Sequence, residues 1–274
     1  MTAQRGGATL KRDRIGERIA SLDLSLFDAV PSQTTMADRR SLLCLQRAIR
    51  EAHGEYVYLE IGSHLGGTIQ QHLHDTSCRR VYSIDKRPAY QNDARGGTHP
   101  YPDNSTERML ACLRQIASAD LSKLVCIESE VRAIEPECIS EAPHYCFIDG
   151  EHTTDAVLAD FAFCWRVAGQ ESVFCFHDAD LVGSAIRRIE QGLRARGLTF
   201  QSAKLGGSIH VLSRDPGILA HEALTAERRN AAMYFLLARP RLAFTRYFDR
   251  PIRAALRPAR RWLRDRVTRL AEKP

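Results

Sequence analysis

The chain lacks the segments that would carry it into or across a membrane. Its longest apolar run, Ala231 to Ala238, has eight residues, well short of the roughly 20 that span a bilayer. The N-terminus shows no apolar core of a secretory signal, so no signal peptide is expected. The eight cysteines contain no C-x-x-C pair, so they form no metal pattern. Cys126, Cys146, Cys164 and Cys175 sit inside apolar runs. They read as buried thiols of a reducing cytoplasm, not as a disulfide framework. Two phosphate-cradling patterns are also missing: no G-x-G-x-x-G follows a strand, and no glycine loop ends in Gly-Lys-Ser/Thr.

What is present is ordinary in bulk and uneven in charge. The 274 residues, 44% hydrophobic, suit one large domain with an extension and a sizeable core. From Arg228 to Pro274 there are 14 Lys/Arg against 3 Asp/Glu, a net +11. With +6 for the whole chain, the preceding 227 residues carry −5. The basicity therefore belongs to a tail, which suggests an acidic partner or surface for that tail.

The chain is organised around Tyr56-Val57-Tyr58-Leu59-Glu60-Ile61-Gly62-Ser63-His64-Leu65-Gly66-Gly67. The first six residues read as a buried strand. Gly62, Gly66 and Gly67 then give a turn, and a helix from about Thr68 to His74 points free N–H groups back at it. His64 stands where a dinucleotide fingerprint places its second glycine. Glu60, two places before the first glycine, suits a ligand with a positive charge near the turn better than a pyrophosphate. Arg80 to Asp85 reads as the second strand, and an acid there, about 20 residues on, is the expected partner of ribose hydroxyls. The competing reading of Asp85 is a helix N-cap.

A carboxylate on the first strand, a glycine turn and an acid ending the second strand resemble the class I S-adenosylmethionine-dependent methyltransferases. That resemblance implies an α/β, Rossmann-like, doubly wound sheet of seven mostly parallel strands, with helical N- and C-terminal extensions. It implies that Glu60 serves the methionine end of the cofactor, that Gly62, Ser63, Gly66 and Gly67 of the turn bind it too, and that Asp85 holds the ribose. Strand three, Leu124 to Ile127, is followed by Glu128-Ser129, a pair the resemblance places beside the adenine; plain strand-end polarity is the alternative. The expected division is an extension and the start of a cap helix over 1–41, the methyltransferase domain over 42–214 and a basic helical extension over 215–274.

Two further stretches carry the chemistry. His144 to Asp149, followed by Gly150-Glu151-His152, is a buried strand that ends in an acid with a histidine three residues on. Ser172 to Phe176, followed by His177-Asp178, is another such strand. Buried strands do not need polar ends of this density to fold, and ligands of open sheets bind at that edge. The pair closely resembles the branch of class I methyltransferases that includes macrolide sugar O-methyltransferases and cephalosporin-hydroxylase-like proteins, over roughly Leu42 to Leu212. Carried over, Asp149 and Asp178 are ligands of a divalent metal. His177 stands where that branch usually has an acid, and His152 is the general base. Histidine suits Mg²⁺ poorly and Mn²⁺, Fe²⁺ or Zn²⁺ better. Loop ordering or cofactor contact by the two acids, and a plain helix start at His152, are the competing readings.

The implied activity is an S-adenosylmethionine-dependent O-methyltransferase, metal-assisted or not, acting on a hydroxyl of a sugar or polar small molecule. A nucleotide-binding or docking protein without catalysis is an alternative, and a metal-dependent hydroxylase or hydrolase is another. Lys86 to Asn104 reads as a long insertion, either a substrate-contacting loop or a lid. The tail is helical in pattern but broken by Pro240, Pro251 and Pro258. Its stripe of Ile252, Leu256, Ala259, Trp262 (or Leu263), Val267 and Leu270 suits a membrane surface, a partner, the domain itself or a second subunit. Nucleic acid is disfavoured for want of a base-reading motif. A cytoplasmic location, peripheral at a membrane in one reading, and a homo-oligomer complete the expectations.

Overall fold

The structure, a computed structural model, describes residues 14–116 and 119–249. The proline-broken stripe from Ile252 to Leu270 lies outside the described residues.

The first helix to bear on the site, α1 (Met36–His53), starts at a capping box. Thr35 Oγ1 accepts from the Asp38 N–H, and the Asp38 carboxylate accepts from the Thr35 N–H, which satisfies two otherwise orphaned donors. Strand β1 (Tyr56–Ile61) follows and is buried along its whole length. After the short helix α2 (Gln70–His74) comes β2 (Cys78–Ile84). A small antiparallel hairpin, β3 (Tyr90–Asn92) and β4 (Thr98–Pro100), precedes α3 (Thr106–Leu113). The core resumes with β5 (Leu124–Ile127), β6 (Tyr145–Ile148), α4 (Thr154–Val167), β7 (Val173–Phe176) and α5 (Ala179–Ala195). It ends with β8 (Gln201–Lys204) and β9 (His210–Ser213).

Seven of these strands form one sheet in the order β5-β2-β1-β6-β7-β9-β8. β1, β2, β5, β6 and β7 are mutually parallel, whereas β9 runs antiparallel to both of its neighbours. This is the mostly parallel, doubly wound sheet the sequence implies. Alternation along β1 explains the layering. Tyr56 and Tyr58 join one apolar cluster with Leu43, Leu45 and Ile49 of α1, whereas Val57, Leu59 and Ile61 join another with Phe161 of α4 and Ile186 of α5. Each cluster fills one face of the sheet, so the inner strands β1, β6, β7 and β9 are buried on both sides.

The insertion differs from the irregular loop expected over 86–104, because the hairpin gives it a ladder of its own. Two short helices, α6 (Pro216–Ala220) and α7 (Glu222–Glu227), return to the core, where Ile218, Leu219 and Leu224 join the α1 cluster. Glu227 pairs with Arg40 of α1 at 2.6 Å. The last described helix, α8 (Ala231–Phe244), carries Pro240 and runs into a single wide turn over Thr245–Asp249. No helix among the described residues is long and apolar enough to cross a membrane.

Candidate active site

The site begins at the end of β1. Gly62 has φ +90°, and a Cβ there would lie 2.2 Å from the carbonyl oxygen of Asp149 at the end of β6. Only glycine permits both the turn and that approach, so the two strand ends are brought side by side. His64 follows with φ +44°, a left-handed conformation that is costly for a non-glycine residue and typical of ligand sites. Gly67 leaves space for Pro31 and Ser32, whose atoms would sit 2.5 and 2.7 Å from a Cβ. The loop before α1 is thereby laid across the turn.

A cavity of about 520 Å³ opens at the carboxyl ends of β1, β2, β6 and β7, within the range of small-molecule and cofactor sites. Gly62, Ser63, Gly67, Asp85 and Ser129 line it on one side, and Asp149, His152, His177 and Asp178 on the other. Asp85 accepts from the N–H groups of His64, at 2.9 Å, and Arg87, at 2.8 Å. Those two bonds fix its orientation and leave lone pairs for a ligand, since a carboxylate offers about four acceptor sites.

Three of the expected cofactor residues stand off the cavity wall. Gly66 lies behind the turn, where a Cβ would meet Leu113 at 2.9 Å. Glu128 accepts from Thr106 Oγ1 at 2.9 Å on the exposed side. Glu60 is fully buried beneath the turn, accepting from Tyr58 Oη at 2.5 Å and Thr68 Oγ1 at 2.8 Å. Burial pushes its carboxyl up to about 8, against the pull of those hydrogen bonds.

The catalytic candidates converge around one oxygen. Asp149 Oδ1 lies 2.8 Å from His177 Nδ1 and 3.3 Å from His152 Nε2. Asp178, itself at φ +46°, places its carboxylate 3.7 Å from His152 Nδ1 and 3.8 Å from His177 Nδ1. Burial opposes the charge on Asp149, yet His177 and His152 outweigh it and hold the carboxyl down to about 2. Burial likewise opposes charge on His177, but Asp149, Asp38 and Asp178 hold it well above the ordinary imidazole value. His152 moves the same way: burial is overcome by Asp149 and Asp178. Burial raises Asp178 despite both imidazoles.

The donor atoms of Asp149, His152 and His177 lie within 4.8 Å of one another. Two imidazoles and one carboxylate are a recognised set for a transition-metal dication. The trio draws in His152, where the sequence pattern points to Asp178. His177 Nε2 is buried without a hydrogen-bond partner and sits 3.6 Å from Asp38 Oδ2. These donors fit an ion such as Mn²⁺, Fe²⁺ or Zn²⁺ better than Mg²⁺, which prefers oxygen.

Some residues at the site escape sequence reasoning. Asp38 accepts from the Ser208 N–H at 2.6 Å and Ser208 Oγ at 3.0 Å while facing His177. Burial resists its charge, but His177, Thr35 and Ser208 pull the carboxyl well below its usual range. The Thr35-x-x-Asp38 capping box is visible in sequence; its reach to residues 177 and 208 is not. The hairpin adds Gln91 and Tyr101 to the cavity wall, and Ala94 N–H donates to the His152 carbonyl at 3.1 Å. Asp160 of α4 also lines the cavity, its carboxyl pushed up to about 7 by burial.

Residues 59–179 match a protein family described as a methyltransferase domain. Among solved structures, the calicheamicin methyltransferase CalS11 superposes with a TM-score of 0.50 at 16% identity, over 75% of this chain and 91% of that one. The O-methyltransferase TomG from Streptomyces achromogenes gives 0.47 at 15% identity, over 72% and 88%. An O-methyltransferase from Bacillus cereus gives 0.47 at 13%, over 74% and 89%. No curated protein matches the chain in sequence.

Proposed function

We propose that this chain, whose residues 59–179 match a methyltransferase domain, is a class I S-adenosylmethionine-dependent methyltransferase that methylates a hydroxyl of a sugar or other polar small molecule. The observation that carries this reading is a single cavity with two chemically distinct ends. At one end, Asp85 beside the Gly62 turn suits the ribose of the cofactor, because one carboxylate can accept from two adjacent hydroxyls. At the other end, the Asp149–His152–His177 cluster supplies proton-handling groups that cofactor binding alone does not need.

Methyl transfer from a sulfonium is an in-line displacement. The acceptor oxygen forms a bond to the methyl carbon as the S–CH₃ bond breaks, and the hydroxyl proton must leave. The protein therefore positions the oxygen and takes the proton. Asp149 facing His152 Nε2 favours the tautomer with its hydrogen on that nitrogen. Nδ1 is then left to receive the acceptor's proton, with Asp178 at 3.7 Å to stabilise the resulting imidazolium. A divalent ion would be held by Asp149 and His177, leaving His152 Nδ1 free as the base, and would lower the pKa of an acceptor hydroxyl.

The test is transfer of an isotopically labelled methyl group from S-adenosylmethionine to a panel of sugars and polar alcohols. The reading expects the label in an O-methyl ether. Label recovered only on nitrogen or carbon, or oxidation or hydrolysis of the acceptor without S-adenosylmethionine, would contradict it.

A further inference from the structure

The last described helix is apolar on two sides, and the described residues cover only one of them. Tyr234, Phe235 and Leu242 pack on the sheet-side cluster beside α5, and Phe235 fits so closely that a Cβ on Gly183 would meet its ring at 2.9 Å. The other side presents Met233, Leu236, Leu237 and Phe244, continued by Tyr247 and Phe248 of the following turn. Each is between 54% and 66% exposed. Among the described residues, these are six of the eight exposed large hydrophobic side chains. Their spacing of three, four and seven residues places them along one face, so the stripe is a single surface and not scattered exposure of the kind every protein shows.

The charge around this stripe selects what covers it. Exposed Arg241 and Arg246 flank it, and the segment from Arg228 onward carries 14 Lys/Arg against 3 Asp/Glu. A second copy of the chain would set this cationic segment against its own twin across a two-fold interface, where like charges repel. Residues 250–274 carry nine Lys/Arg and two Asp/Glu and meet the same objection as a cover. An anionic bilayer meets none: its headgroups attract the arginines, and its interface accepts Leu, Met, Phe and Tyr side chains lying in the plane.

We propose that the exposed face of residues 233–248 seats the protein on an anionic lipid surface. Arg246 also packs beside Gly96 in the hairpin turn, and that hairpin lines the cavity, so the docked face and the active site share a structural wall.

The experiment is flotation of the full chain with vesicles of phosphatidylcholine alone and of phosphatidylcholine with phosphatidylglycerol. It compares the wild type with Leu236→Asp/Leu237→Asp and with the milder Leu236→Ser/Phe244→Ser, all checked for an unchanged melting temperature. Sedimentation velocity is run alongside. The expected result is binding to anionic vesicles at least about tenfold above neutral ones, weakened by salt and lost in both variants. Three results overturn the proposal. One is no binding by the wild type. Another is equal binding by the variants, which would leave the charge alone responsible. The third is a dimer that the substitutions dissociate, which would make the face a contact between copies.

Discussion

At the scale of single residues, the account turns on His152. Its proton affinity is raised because Asp149 and Asp178 outweigh burial. A base whose folded value lies above 6.5 is protonated, and idle, below that value, and it gains activity as pH rises through it. The acid limb of kcat against pH is therefore expected above 6.5 in the wild type and lower in Asp178→Asn; an unmoved limb would contradict the pairing. His152→Ala should lower kcat by about 10²–10⁴ with little effect on cofactor binding, and turnover at the wild-type rate would remove its role as base. Glu60 makes a separate prediction. Its folded value, about 8, exceeds the ordinary glutamate value of 4.5. The native state therefore holds a proton that the unfolded chain releases, and stability falls as pH rises between those values. Glu60→Gln mimics the protonated form. Its melting temperature should gain on the wild type progressively from pH 5 to pH 8, and parallel curves would contradict a buried neutral carboxyl. Asp85, Asp149, His152 and His177 are legible in sequence because each ends or follows a buried strand. Asp38 is not, because its partners Ser208 and His177 lie far away along the chain and only the fold brings them together.

At the scale of elements, the glycine turn carries the largest stake. A methyl group at Gly62 would lie 2.2 Å from the Asp149 carbonyl, and the φ of +90° is itself unfavourable for alanine. Gly62→Ala should therefore move β1 and β6 apart, abolish cofactor binding and lower the melting temperature. Retention of full binding would show that the turn tolerates what its geometry forbids. Strands β1 and β5 are found at the residues read from the sequence, because each is a short, mostly apolar run bounded by polar residues, fully buried in β1 and half-buried in the edge strand β5. The hairpin over residues 90–100 is opaque for the opposite reason. Tyr90, Asn92 and all three residues of β4 are exposed, so no hydrophobic alternation marks them. Its contribution to the site is nonetheless concrete. Tyr101 lines the cavity and meets His64 ring to ring at 5.1 Å. Tyr101→Ala should raise the KM for the acceptor several-fold while leaving S-adenosylhomocysteine affinity within about twofold, since aromatic contacts of this kind contribute of the order of 1 kcal/mol. Equal loss of both would place Tyr101 on the cofactor instead.

At the scale of the whole molecule, the sheet order explains why acids and histidines scattered from residue 85 to residue 178 meet. β2, β1, β6 and β7 are neighbours in the sheet, and their carboxyl ends open on one cavity. The sequence makes the edge visible; it does not show that Glu60 is turned beneath it, because a carboxylate on a buried strand reads the same whether it faces the ligand or Tyr58. The central claim is that this edge binds S-adenosylmethionine through Asp85 and the Gly62 turn. The most direct measurement is calorimetry of the purified protein with S-adenosylhomocysteine, repeated with Asp85→Ala and in the presence of Mn²⁺ or Mg²⁺. The account predicts saturable binding to the wild type and its loss in Asp85→Ala. No binding by the wild type under any of these conditions, or undiminished binding by the variant, would contradict it.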